Sequence, residues 1–292
     1  GYRAEFAAGV EAAASMGGQL IPPVMGAAAF IMAETLGVSY WTVAISAAIP
    51  GVLYFFAVGV MVHFEASRQN LPVLDRAQLP KLGPILRRDL HLLAGPAVLV
   101  WILASGGTAE RAGFWALVIA VITSWVRAQT RIGPKRLLSV LVDGANGALP
   151  VALACATVGI VVGVVSISGI GLKLATGIVG LSQGNLLITC VLTMIAALVL
   201  GTALPTSASY IITAIMAAPA LIQLGVPALA AHMFVFYFGI LADLTPPTAI
   251  STYATSAIAG SDVWRTQWTA MLLALSGFII PYSFVYDPAL LM

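Results

Sequence analysis

Long apolar runs alternate along this chain with short polar stretches rich in arginine, and two of the runs are interrupted by a Pro-Pro step. A helix rises about 1.5 Å per residue and a bilayer core is about 30 Å thick, so each run can be weighed as a span. Residues 4 to 36 predict a helix broken at Gly17, Gly18, Pro22 and Pro23, with halves that together cross. Tyr40 to Val62 is an uninterrupted run that ends at a polar stretch holding Arg68, Arg76, Lys81, Arg87 and Arg88. His91 to Ser105 and Gly113 to Val126 are short runs joined by GGTAERA, followed by Arg127, Arg131, Lys135 and Arg136. Leu137 to Asn146 is expected along the interface and Ala148 to Ser166 across the bilayer, leaving the Gly-rich segment from Ile167 to Gly184 outside. Asn185 to Leu200 and Ala208 to Gln223 flank GTALPTS, a cluster that ends helices, and predict a re-entrant hairpin with its tip at mid-membrane. Pro227 to Ala259 contains the second Pro-Pro step, and Val263 to Tyr286 is the last span.

The basic stretches near 65–90 and 127–136 set the direction of these spans, because cytoplasmic loops carry the excess of Lys and Arg. Counted from them, the first broken helix runs inside to outside and the second outside to inside. The two breaks are also related in sequence. Residues 1 to 23 laid over 225 to 247 without a gap pair Gly1 with Gly225, Ala4 with Ala228, Ala7 with Ala231, Leu20 with Leu244, and the two Pro-Pro steps. Matching broken helices of opposite polarity are the mark of an inverted repeat in a transporter. The expected organisation is a first repeat's broken helix in 1–36 and connecting scaffold spans in 37–184. A second repeat, hairpin plus broken helix, follows in 185–260, and a last span in 261–292. A counterpart hairpin is expected upstream of Gly1, so the chain reads as an excerpt of a longer one.

Composition agrees with this pattern. Hydrophobic residues make up 60% of the chain and charged ones 8%, with a mean hydropathy of +1.02, where a soluble domain carries about 25% charged residues. The fold class is an all-α polytopic membrane protein. A net charge of +2 is too small to suggest a nucleic-acid partner and leaves the arginines as topology signals. Cys155 and Cys190 lie in apolar runs without metal-ligand spacing and read as small buried hydrophobes.

The chemistry concentrates at the breaks. A freed backbone N–H or C=O inside hydrocarbon costs several kcal/mol unless protein, water or an ion satisfies it, so a broken span marks a polar site. In GGQLIPP and LADLTPP each proline removes an N–H and releases a carbonyl, a hard oxygen ligand. Thr245 beside the second break, and Thr202, Thr206 and Ser207 in GTALPTS, add hydroxyl oxygens. Together these can surround a small monovalent cation, while half-helix N-termini favour an anionic substrate group. Asp243 is an intramembrane acid next to the break and a candidate cation or proton site. Glu11 and Glu34 raise the same question more faintly; His63 and His232 lie near span ends, and Tyr40, Trp41, Trp264 and Trp268 read as interface anchors. The chain holds no nucleophile elbow, no H-E-x-x-H zinc motif and no Walker motif, so neither an enzyme, a transition-metal site nor ATP coupling is expected.

The segments GYRAEFAAGVEAAASMGGQLIPPVMGAAAFIMAETLGV and GTALPTSASYIITAIMAAPALIQLGVPALAAHMFVFYFGILADLTPPTAISTYA resemble the large membrane subunit of tripartite ATP-independent periplasmic (TRAP) transporters, with the TAXI-type fused permease the nearest likeness. The resemblance implies an elevator-type secondary transporter in a bacterial or archaeal plasma membrane. It implies Na⁺ as coupling ion, small organic anions as substrate, a periplasmic binding protein that delivers them, and a small membrane subunit fused in the full-length chain. It also implies that sodium is held by carbonyls and hydroxyls at hairpin tips and breaks. One site would use Gly201 with Ala242, Leu244 and Thr245; the other would use Gly17, Gly18 and Ile21 with a hairpin outside this sequence. Pro22, Pro23, Thr202, Pro205, Thr206, Ser207, Pro246, Pro247 and Thr248 would border the substrate. The family's common second-break pattern continues TPPVG, whereas this chain has TPPTA from Thr245 to Ala249. Two other readings stay open on the residues alone: a proton-coupled carrier using Asp243, and a channel whose breaks form a selectivity filter.

Overall fold

The computed structural model describes residues 1–23, 25–71, 82–202 and 204–291, without the side chains of Leu82, Ile85, Leu86, Pro150, Val151, Ala154 and Cys155. Arg76, Lys81 and the Cys155 side chain therefore lie outside the described residues. Among those residues every regular element is helical. In chain order the helices are α1 (Ala4–Gly17), α2 (Ala27–Leu36), α3 (Tyr40–Arg68), α4 (Leu82–Asp89), α5 (Ala94–Ala104), α6 (Ala109–Ser124), α7 (Pro134–Ser168) and α8 (Ile170–Ser182). They continue with α9 (Leu186–Gly201), α10 (Thr206–Met216), α11 (Ala218–Gln223), α12 (Ala228–Leu241), α13 (Ile250–Ala259), α14 (Val263–Leu273) and α15 (Leu275–Tyr286). Short 3₁₀ turns occupy Leu90–Leu93, Ala242–Leu244 and Pro288–Leu291.

By length and hydropathy, Tyr40–Arg68, Thr206–Gln223 and Val263–Tyr286 can each cross a bilayer among the described residues. Both expected broken helices are present as two helices with an irregular link, α1 to α2 and α12 to α13. The stretch after the second basic loop differs from expectation. Leu137–Asn146 does not form a separate interfacial piece; it belongs to the single helix α7. The Gly-rich segment placed outside is itself mostly helix α8, which meets the end of α7 at 68°. Gly169 makes this bend, with φ +67°, a conformation glycine adopts without steric cost. Gly171 is needed for packing, because a Cβ there would sit 3.2 Å from the Ile215 carbonyl oxygen. Helix α8 buries Ala175 and Ile178 against α9 and α11, so the stretch is a packed helix rather than a loop.

The chain divides into two compact units, one of Gly1–Val38, Thr42–Leu71 and Leu153–Met292, the other of Ser39–Trp41 and Pro72–Ala152. In the second unit α5 and α6 form a close antiparallel pair, with Gly95 facing the Ala116 carbonyl and Ala120. The basic stretch after α6 is tied down: the Trp125 indole N–H donates to the Ile132 carbonyl at 2.9 Å, and Arg131 lies over the Trp125 ring.

The first unit is built around α12, whose residues from Ala230 to Leu241 are all buried. A helix apolar on every side needs partners on every side. Helices α9, α10, α11 and α15 surround it, with an aromatic cluster of Phe234, Phe238 and Tyr282 on the α15 side. The hairpin arms α9 and α10 pack on each other as well as on α12. Helix α1 packs on α13 and α14, while α2 packs on α10 and α12. The N-terminal half of each broken helix thus lies against the C-terminal half of the other. That is the packing of two broken helices running antiparallel.

Candidate functional site

Helix α12 leaves its α-helical path at Leu241 through the 3₁₀ turn Ala242–Leu244 and resumes as α13 at Ile250. The backbone groups freed here are met locally. The Thr245 N–H donates to the Ala242 carbonyl at 3.2 Å and the Thr245 hydroxyl to the Leu241 carbonyl at 2.7 Å. The Ser251 hydroxyl donates to the Asp243 carbonyl at 2.9 Å, reaching back across the break. Gln267 of α14 is buried and places its amide N–H 3.5 Å from the Pro247 carbonyl. Carbonyl oxygens have two lone pairs and hydroxyls retain theirs while donating, so these groups keep acceptor capacity. Two further oxygens, Asp243 Oδ1 and Gln267 Oε1, are buried without a hydrogen-bond partner.

The hairpin turn meets this break backbone to backbone. A Cβ on Gly201, the last residue of α9, would lie 2.5 Å from Ser209 Oγ, 3.1 Å from Ala242 Cβ and 3.6 Å from Gly239 Cα. A Cβ on Gly239 would sit 2.9 Å from the same Ser209 Oγ. The Ser209 hydroxyl fills the space the two glycines leave and donates to the Gly239 carbonyl at 3.2 Å. Around it Ser207 and Ala208 are buried and Thr206 half-buried, all in the first turn of α10.

The first break repeats this local geometry. Helix α1 also ends through i to i+3 turns, Gln19 N–H to Met16 carbonyl and Leu20 N–H to Gly17 carbonyl. Leu20 and Leu244, partners in the sequence repeat, are both fully buried. The peptide bonds Pro22-Pro23 and Pro246-Pro247 are both cis. Two residues beyond each, Met25 and Ala249 take left-handed φ of +49° and +28°, and both are fully buried. The wall of this break comes from α3. Gly51 lets α3 approach the Leu20 carbonyl, and the Tyr54 ring lies against Gly17, its hydroxyl donating to the Ala13 carbonyl at 2.8 Å. The other edge of that ring faces Gly277, which also abuts Leu241 just before the second break.

The structure therefore brings Gly201 and Ala242 into direct contact, with Leu244 buried and Thr245 half-buried in the same turn. Gly17 is buried, Ile21 and Pro22 are half-buried, and Gly18 and Pro23 are exposed, all against α3 or at the surface rather than in that contact. Thr202 is exposed and its hydroxyl turns back to the Leu198 carbonyl at 2.8 Å; Pro205 and Pro247 are exposed, Pro246 and Thr248 half-buried. Sequence reading missed Ser209, Gly239, Gln267 and Tyr54. Ser209 lay within reach of it, as the next hydroxyl in TSAS, whereas Tyr54 and Gln267 sit in ordinary span sequence and only tertiary packing brings them in. His232, expected at an interface, is buried, with Nδ1 2.8 Å from the Tyr210 hydroxyl. Tyr40 is buried as well, while Trp264 and Trp268 are exposed. No group of three or more His, Cys, Asp or Glu that could hold a metal ion occurs among the described residues.

Hydroxyls, carbonyls and a carboxylate gathered where two antiparallel broken helices and a hairpin meet are the layout of a transporter core. The family model for the tripartite ATP-independent periplasmic transporter, DctM component, matches residues 1–292. The chain belongs to the DctM family. It is thus a multi-pass membrane permease component of a TRAP transporter. A comparison with individually curated proteins finds no match.

Two substitutions test this geometry in the DctM-family chain. Ala249→Gly should raise stability by about 0.5–1 kcal/mol, the left-handed penalty of an L-residue less the entropy glycine adds to the unfolded chain. Thermal unfolding in detergent reads this, and a lowered melting temperature would contradict the positive φ. Gly201→Ala should destabilise by about 1–3 kcal/mol through overpacking. Adding Ser209→Ala removes the oxygen it strikes and should recover part of the loss, a coupling that a double-mutant cycle measures.

Proposed function

We propose that this permease is a Na⁺-coupled symporter that imports small organic anions such as carboxylates across a bacterial or archaeal plasma membrane. The observation that supports this most directly is the contact of Gly201 with Ala242 beside Ser209. It gathers carbonyl and hydroxyl oxygens from two elements, a hard donor set that suits Na⁺ rather than a soft metal. The cation site is assigned to Gly201, Ala242, Leu244 and Thr245, with a second around Gly17, Gly18 and Ile21. An anion's carboxylate is neutralised by the bound cation and by the N-terminal ends of the half-helices. The residues bordering the substrate are Thr206, Ser207 and Thr248, with the two Pro-Pro steps shaping the backbone.

In operation the hairpin and both broken helices move as one body past a scaffold, in the manner of an elevator. The close backbone packing in the first unit favours this, since α9, α10, α12 and the Ala242–Leu244 turn are mutually locked. Substrate arrives from a periplasmic binding protein of the TAXI type, and a small membrane subunit is fused to the full-length chain. With no Walker motif in these residues, the sodium gradient supplies the energy.

Uptake of a radiolabelled dicarboxylate or keto acid by the full-length protein in proteoliposomes, with its binding protein, should require an inward Na⁺ gradient. Undiminished uptake after replacing Na⁺ with K⁺ rejects this coupling. The orphaned Asp243 Oδ1 favours a second reading, in which Asp243 takes up a proton instead. Asp243→Asn distinguishes them: transport that keeps its Na⁺ dependence and its pH profile supports sodium, while loss of pH-dependent uptake supports the proton.

A further inference from the structure

We propose that the start of α1, the end of α3 and the start of α14 form a binding site for an anionic phospholipid, held by its phosphodiester headgroup. The inference rests on the assignment of α3 and α14 to membrane spans. Two adjoining hollows of about 310 and 430 Å³ lie there and share Arg3, Phe6 and Thr269 as a common wall. Arg265 and Glu5 face the first hollow; Arg68 and Glu65 face the second.

The charges at these hollows do not cancel. Glu65 accepts from Arg3 Nη2 at 3.5 Å, from Arg68 Nε at 3.0 Å and from the Gln69 amide, so one carboxylate serves two guanidiniums. Those two arginine side chains remain 66% and 69% exposed, leaving most of their N–H donors available. Arg265 has no ion pair among the described residues, and nearby Asp262 caps α14 by accepting the Arg265 backbone N–H. Among the residues lining the hollows, three arginines stand against Glu5 and Glu65. The Arg265 guanidinium, with no ion pair among the described residues, is open to a phosphodiester, which guanidiniums recognise with paired N–H donors.

The rest of the wall selects an amphiphile over a free anion. Phe64 and Leu272 border the second hollow and are exposed, as are Trp264 and Trp268 beside the first, stacked edge to face at 5.9 Å. Basic residues with tryptophan at helix ends mark the headgroup level of a bilayer. A headgroup on Arg3 then lays its acyl chains along Phe64 and Leu272. An inorganic anion gains nothing from that apolar surface.

The test uses the full-length permease in detergent, with dioleoylphosphatidylglycerol and dioleoylphosphatidylcholine as probes in native mass spectrometry. Wild type should retain the glycerol lipid preferentially, and Arg3→Gln with Arg265→Gln should cut that retention about tenfold while choline-lipid binding is unchanged. A photoactivatable phosphatidylglycerol on the unaltered protein needs no variant, and should crosslink to peptides containing residues 2–6, 61–68 or 264–272. Millimolar inorganic phosphate should leave the lipid bound. Equal retention by the double variant, crosslinks confined to other segments, or displacement by phosphate overturns the proposal.

Discussion

Helices bring their backbones close only where the facing side chains are small, and the first unit depends on one such contact. Gly201 at the end of α9 and Gly239 in α12 let the hairpin turn close onto the second break, with Ser209 Oγ lying between them. A side chain at either glycine would separate the elements. The carbonyls of the break, bonded locally by Thr245 and Ser251, would then lose the hairpin's cover from hydrocarbon, where any polar group left unpaired costs several kcal/mol. The same contact that makes the broken helix tolerable places oxygen donors from two elements around one point. Structural necessity and the proposed cation site thus share one cause.

At the first break α3 supplies part of the wall: Gly51 and Tyr54 press on residues 17 to 21, and the Tyr54 ring fills the gap between Gly17 and Gly277. Yet the backbones follow one course, with an i to i+3 exit, a buried leucine and a buried left-handed residue after the prolines. Ala249 holds that left-handed turn at the position where the sequence departs from TPPVG. The local geometry therefore comes from the surrounding packing, which imposes φ > 0 on alanine, rather than from glycine's own freedom.

Much of this was legible from the chain. Apolar run length located the long spans, and the Pro-Pro steps located both breaks, because proline removes a donor regardless of context. The arginine-rich loops implied antiparallel breaks, and the pairing of α1 with α13 and α2 with α12 has that sense. Gly201 and Ala242 were named together and do meet. The failures share a cause. Glycine in the stretch from Ile167 to Gly184 reads as loop in isolation but serves close helix packing at Gly171, and its partner Ile215 is remote in sequence. Thr202 and Thr245 both turn their hydroxyls onto their own helices, and what separates them is exposure: Thr202 is exposed and Thr245 half-buried. Tyr54, Gln267 and the Tyr210–His232 pair matter through neighbours far along the chain, which no local pattern announces.

The central claim is that the hairpin tip and second break together hold Na⁺. Thermal unfolding of the purified full-length permease, titrated with NaCl or KCl at constant ionic strength, tests it most directly. A cation bound only by the folded protein raises its stability as RT ln(1 + [L]/Kd). The account predicts a saturable rise in melting temperature with Na⁺ but not K⁺, greatly weakened by Thr245→Val. Equal stabilisation by both salts, or an undiminished Na⁺ response in Thr245→Val, would contradict it.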